Sequence, residues 1–435
     1  MSCSYPAAKQ KSIAEEYSFS CKSRFNQLFC WGLLVTFSTA FSFAMGEDQR
    51  NFLVIGMMGV ASTLYLLTAF QFQKQEVYGW LLLLSILLFW WTEPESFRLN
   101  SFLYSAMFII TFLYYMRMLY SGFLNKEHYL IILKGIIYAY TWILLVQQFC
   151  VVMHWPVFNF ILGEPEAFKL NSLSPEPSHS ARILVIVMYA YVWMREIGLQ
   201  HRYHLFQDGI ADKNLWLCFF YTMLTMGSGT AYFLLPLFLL RFISSWVVLW
   251  GTVIAGLCIW LKLPELLDIS AWNRVHLFSQ AVLTGDPMKM LLTDHSASIR
   301  VLPSYYYSMF AVPSIPEFWL GYGMAFNIEI FPELIPGVPQ GVSLGGIFPS
   351  FLLNHGVIAG IFLLLMISKF CLSHLFSFST LLTIILIFSC GFNTQIPWLI
   401  FLLLGTNKYF AGQVRITMKS QTGEEDVLPH IPAQA

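Results

Sequence analysis

The residues best suited to chemistry fall in one stretch, Phe168 to Arg182, which reads FKLNSLSPEPSHSAR. It gathers Lys169, Glu176, His179 and Arg182, with Ser172, Ser174, Ser178 and Ser180 between them. The chain as a whole is 57% apolar and only 11% charged, so this is a polar island. Apolar runs at 129–153 and 183–194 flank it and place it at or near a membrane surface. Ser174 is the expected helix N-cap, with Pro175 at the first helical position and Pro177 within the first turn. On that helix Ser178 and Arg182 share a face at i,i+4, and His179 and Arg182 at i,i+3. Free backbone N–H groups at a helix start, with a cation beside them, suit a phosphate group. The competing reading is a helix-entry loop with interfacial charges, since Glu-Pro also occurs in TEPES at 92–96 and GEPE at 163–166.

The elements that carry this island are membrane spans. A mean hydropathy of +0.63, 40 Phe and repeated apolar runs near span length predict an all-α, polytopic helical membrane protein. The 435 residues divide into an N-terminal segment 1–26, a multi-span region 27–405 and a polar, mobile tail 406–435. The expected spans are 27–45, 52–70, 79–91, 101–120, 129–153, 183–200, 345–368, 375–389 and 397–405, the last two separated by CGFNTQIP. The region 215–262 reads as two spans, 215–240 and 244–262, or as three, with MGSG at 226–229 as a turn between two short helices. Charge favours three. About twelve spans then result, with both termini cytoplasmic and sixteen of the 24 Lys and Arg inside. The two-span version strands Arg241 outside. Two extracytoplasmic loops follow, 154–182 and 263–344. The second carries Arg274, His276, Lys289, His295 and Arg300 among Trp272, Tyr305, Tyr306, Tyr307 and Trp319, which serve for sugar stacking or as interfacial belt anchors. Zero net charge gives no case for nucleic acid, and no CxxC, HExxH or Asp-x-Asp spacing predicts a metal or other cofactor. The N-terminus lacks the apolar core of a signal peptide.

LNSLSPEPSHSARIL resembles the Glu-Pro-Ser signature of the O-antigen and capsule repeat-unit polymerases, the Wzy-type members of the O-antigen polymerase/ligase membrane glycosyltransferase family. In that signature a basic residue precedes a short Ser/Gly segment, then Glu-Pro-Ser, then a membrane helix. Lys169 stands where the family usually has arginine and keeps the charge without the bidentate geometry. Ser298-Ile299-Arg300, about twenty residues before Gly321-Tyr322-Gly323, is similar to the family's loop helix followed by Gly-x-Gly. Arg274 is the alternative cation. Two departures matter. Gly227-Ser228-Gly229 stands where members often carry Ser-Arg, and Gly345-Gly346 occupies the place of the ligase branch's histidine, ahead of the pair Gly356 and Gly360. His355 lies out of that position, as a satisfied helix histidine, which favours polymerase over ligase.

The resemblance implies a GT-C-like membrane fold in the bacterial inner membrane. It implies transfer of an undecaprenyl-diphosphate-linked glycan to the non-reducing end of another lipid-linked repeat unit, making a surface polysaccharide. Lipid-linked donor and acceptor are the partners implied, with a flippase and a chain-length regulator around them. Catalysis then falls to Glu176, His179 and Arg300, and substrate binding to Lys169, Ser178, Arg182, Arg274, Gly321 and Gly323. Arg300, Arg182 and Lys169 replace a metal at the diphosphate. Glu176 takes the acceptor proton, or orients Arg182, or caps the helix; His179 is the second base. The rival class is a transporter or flippase of lipid-linked glycan, for which the spans hold few charges away from their ends.

Overall fold

A computed structural model describes residues 24–39, 43–45, 48–67, 73–92, 98–159, 165–243, 251, 256, 270–324, 326–339, 344, 346–388 and 390–422. Apart from a hairpin of two three-residue strands, β1 (Phe43–Met45) and β2 (Asp48–Arg50), these residues fold as helices and their connections. The first seven helices are α1 (24–38), α2 (Phe52–Leu67), α3 (Glu76–Thr92), α4 (Leu99–Tyr120), α5 (Lys126–Val152), α6 (Pro177–Leu199) and α7 (Lys213–Thr225). α8 (Gly229–Leu239) follows, then α9 (Ser270–Thr284), α10 (Pro287–Thr293), α11 (His295–Phe310), α12 (Pro316–Leu320) and α13 (Phe326–Leu334). A π turn at Ile347–Phe351 leads into α14 (Leu352–Phe370), then α15 (Phe378–Phe388) and α16 (Gln395–Thr422). Leu99–Tyr120, Lys126–Val152 and Ile347–Phe370 are long and apolar enough to cross a membrane, and four shorter helices are as apolar.

α6 is the axis of the bundle. Nearly every residue from Ser178 to Met194 is buried, the mark of a helix enclosed on all sides. The buried stretch Ile396–Asn407 of α16 packs along it, and Asn407 ties three helices by donating to the Ala190 carbonyl while accepting from Tyr129. α4, α5, α7 and α8 close around this pair.

The break at 226–229 is present. Gly227 takes a positive φ of 64° and Ser228 is the N-cap of α8. At 13 and 11 residues, α7 and α8 reach about 20 and 17 Å, less than a hydrocarbon core of about 30 Å. A Cβ on Gly227 would overlap the Phe168 carbonyl oxygen, so the turn is met by the polar island itself. The segment 263–344 holds five helices with their own core of Ala281, Met290, Leu302, Phe331, Ile335 and Leu344, anchored on Leu353 of α14. The anchor is a backbone crossing. Side-chain positions on Gly321 and Gly356 would each run into the other segment's main chain, Tyr322 N–H donates to the Leu353 carbonyl at 2.7 Å, and Gly356 breaks α14 at φ 76°.

Several boundaries differ from the sequence-based expectation. The first span ends at residue 38, and β1 and β2 occupy much of the expected 27–45 remainder and the following loop. The last span is longer, because α16 runs on through the polar residues to Thr422 instead of yielding to a tail at 406. The expected third span at 244–262 and the N-terminal segment 1–23 lie outside the described residues, apart from helical positions 251 and 256.

Candidate active site

The polar island is buried rather than spread on a surface. Leu170, Asn171, Ser172 and Ser174 are at most 1% exposed, which demands partners for every polar atom. Asn171 supplies most of them: its amide donates to the carbonyls of Asn159, Ser174 and Pro175, at 2.6, 2.7 and 3.1 Å. Its own carbonyl accepts from Ser180 Oγ. From α5, Gln147 accepts from the Ser172 N–H at 2.8 Å and donates back to Asn171 Oδ1. Ser172, at φ 53°, donates to the Tyr140 carbonyl. The serines of this stretch are therefore struts that fix the start of α6.

That start is two residues later than the sequence implied. Glu176, in extended conformation, is the N-cap, and Pro177 is the first helical residue. Ser174 does not cap; its hydroxyl is spent on Ser180 and the Glu176 carbonyl. Pro175 favours extended backbone at Ser174, and Pro177 does the same for Glu176, so the double-proline run delays the first helical turn. The Glu176 carboxylate makes no cap hydrogen bond, nor does it bond Arg182. It accepts from Ser178 Oγ at 3.0 Å and lies 3.7 Å from the Arg300 guanidinium, an ion-pair distance beyond hydrogen-bond length.

Arg300 reaches this point from the second turn of α11. Asp294 opens that helix, accepting from the Ala297 N–H at 3.0 Å. Arg182, one turn into α6 and 4% exposed, places Nη1 3.5 Å from Cys390 Sγ in the connection between α15 and α16. That connection is fastened to the π turn by the Ile347 N–H donating to the Cys390 carbonyl at 2.7 Å. Burial and then the charge of Arg182 lower the pKa of Arg300, against the opposing pull of Glu176 and Asp294. His179 lies in the same field, in the first turn of α6 ahead of the apolar stretch. Burial, then Arg182 and Arg300, press its pKa down to about 4 against the pull of Glu176, leaving a neutral imidazole near pH 7. Arg182, Arg300 and Glu176 thus stand within electrostatic reach of one another in a partly enclosed place, with Asp294 at the start of α11 adding a second carboxylate. A partly dehydrated anion with several oxygens is the ligand such a place suits.

Glu176, Ser178, His179, Arg182 and Arg300 of the expected residues come together here. Lys169 stands apart, 59% exposed and paired at 3.6 Å with Glu166, while its backbone abuts Gly227. Arg274 lies on α9 with its side chain outside the described residues. Gly321 and Gly323 take φ of 102° and 122°; Gly321 is filled against by the main chain of α14, a packing role rather than an open ligand cradle. His355 is not the satisfied helix histidine expected. It is 6% exposed between Phe351 and Phe392, and its Nδ1 finds no partner among the described residues. Cys390, Asn171, Asn159 and Asp294 were not singled out from the sequence; Gln147-Gln148 inside an apolar run was the one legible sign of the buried polar knot. No family model, curated protein or solved structure matches this chain.

Proposed function

We propose that the chain is a repeat-unit polymerase of the Wzy type: a GT-C-like membrane glycosyltransferase with about twelve spans, in the bacterial inner membrane. It joins undecaprenyl-diphosphate-linked oligosaccharides at the outer face into a surface polysaccharide. The observation that carries this reading is the approach of Arg300, from a distant segment, to the Glu176 carboxylate at the start of α6, within the field of Arg182 one turn further on. Ion pairing supports the topology. Arg241 pairs with Glu196 and Lys134 with Asp212, all cytoplasmic in the twelve-span arrangement, while Arg98 pairs with Glu329, both outside. A two-span version would put Arg241 across the membrane from its carboxylate.

In this reaction the acceptor hydroxyl oxygen bonds to the anomeric carbon of the donor sugar as that carbon's bond to the diphosphate breaks. The leaving diphosphate takes the negative charge, and Arg182 and Arg300 stand where it develops. Arg300 turns from Glu176 to the diphosphate, and the released carboxylate accepts the acceptor proton, with neutral His179 beside it. The guanidiniums fill the place a metal holds in Asp-x-Asp transferases, so polymerisation by purified protein is expected to continue in excess EDTA. Loss restored by magnesium or manganese would refute that point.

The test of the class is a gel of surface polysaccharide from a deletion strain. A polymerase loss leaves a single repeat unit on the core, a ligase loss leaves none on it, and loss of a transporter for unrelated solutes changes nothing.

A further inference from the structure

Helix α11 presents three different faces. Ser298 and Leu302 are fully buried, and Tyr306, Tyr307 and Phe310 pack partly buried against the core of the loop helices. Tyr305 and Met309, i and i+4, are 49% and 63% exposed and form an outward stripe of the kind that rests at a membrane interface. The third face runs through Arg300 and Ser304 to Tyr307 at the edge of the core face, at spacings of four and three residues. It begins at the candidate active site and extends along the helix for about 10 Å.

We propose that this third face, completed by the ring of Phe348, is the subsite for the sugar chain of the acceptor. The proposal rests on the polymerase reading and adds to it the part of the molecule that holds the non-reducing end in place. Three observations carry it. First, Ser304 Oγ is buried and has no hydrogen-bond partner among the described residues, although a helical serine ordinarily donates to the carbonyl four residues back. A buried hydroxyl without a partner, one helical turn from Arg300, is stabilised when a ligand hydroxyl reaches it. Second, Tyr307 and Phe348 meet with ring centroids 6.1 Å apart and planes at 55°, forming two walls of an angled aromatic corner. Third, Phe348 remains 50% exposed although its neighbours Ile347 and Pro349 are buried, and Ile347 is fastened to Cys390, the residue that Arg182 contacts. The exposed ring is thus held on a backbone fixed to the active site.

A pyranose has an apolar C–H face and a rim of hydroxyls. The aromatic corner matches the first and Ser304 the second, while the diphosphate of the donor lies at the Arg300 end. This arrangement points the sugar chain along α11 and its terminal hydroxyl toward Glu176.

Two soluble probes separate this subsite from the site it adjoins: inorganic pyrophosphate, and the repeat-unit oligosaccharide released by mild acid from the lipid of a deletion strain. Binding of each to the purified full chain in lipid nanodiscs is measured by calorimetry. Tyr307→Leu and Phe348→Leu are expected to weaken the oligosaccharide about tenfold each. Ser304→Ala weakens it a few-fold. All three variants bind pyrophosphate as the parent chain does. Phe348→Trp, which keeps a ring, retains oligosaccharide binding and separates stacking from a folding defect. If the two leucine variants bind the oligosaccharide like the parent, or the parent does not bind it at all, the subsite is wrong while the pyrophosphate result stands. A parent chain that binds no pyrophosphate brings down the polymerase reading and the subsite with it.

Discussion

The two ends of the helix bundle both bury arginines, but they treat the charge differently. At the end where α3 begins and α4 finishes, Arg117 and Glu76 are 7% and 1% exposed and directly ion-paired. Tyr65 donates to the same carboxylate at 2.7 Å, and its ring lies 4.0 Å beneath the guanidinium. Nearby, Asp212 receives Lys134 at 3.0 Å and Arg195 at 3.4 Å, and Arg241 pairs with Glu196. At the opposite end Arg182 touches a thiol, and Arg300 stands 3.7 Å from the Glu176 carboxylate. A closed pair holds a fold together, because breaking it strands a buried charge. A guanidinium 3.7 Å from its carboxylate with a second cation close by is a looser arrangement, which the polymerase reading assigns to an anion. On the polymerase reading, the contrast is between a structural charge and a working one.

The contrast can be broken at either end. The largest expected effect is at Glu176. Glu176→Gln keeps an acceptor for Ser178 and removes the proton-accepting carboxylate, so polymerisation should fall by about 10²–10⁴-fold at unchanged abundance. A silent Glu176→Gln would move the base role to His179. Next come Glu76→Ala and Arg117→Ala, each expected to destabilise the protein by about 3–5 kcal/mol. Thermal melting in detergent checks this; wild-type midpoints would show that the closed pair holds nothing together.

The smallest effect separates the ends by pH. The pKa of folded His179 is about 4, below the ordinary 6.5, so the unfolded chain takes the proton first. The stabilisation from a neutral His179 is complete above pH 6.5 and is lost as pH falls toward 4. His179→Asn should lack this loss, and its melting midpoint should gain on that of the parent between pH 6.5 and 4. A difference that stays constant over that range contradicts the lowered pKa of His179 in the folded chain.

Much of this arrangement was legible in the residues. Apolar runs located most helices to within a few positions, and the run MGSG marked the break between α7 and α8, where Gly227 takes the positive φ of the turn. The island 168–182 was legible as a polar stretch at a helix start but not as a buried one. Its burial depends on Gln147 and Asn159, and long-range hydrogen bonding leaves no local pattern. The convergence of Arg300 on Glu176 depends on how the loop helices dock through Gly321 on Gly356, a backbone contact that sequence spacing does not encode. The polar continuation of α16 past residue 406 was missed because hydropathy marks where a helix is apolar, not where it ends.

The most direct measurement of the central claim is the length distribution of surface polysaccharide in a deletion strain carrying Arg300→Ala, with abundance checked by blot. Removing a donor from a partly dehydrated anion site costs on the order of 10²–10³-fold in rate. The strain should therefore display a single repeat unit at normal protein level, and Arg300→Lys should restore only short chains, because an ammonium cannot present two parallel donors. A full-length ladder from Arg300→Ala at normal abundance would contradict the account.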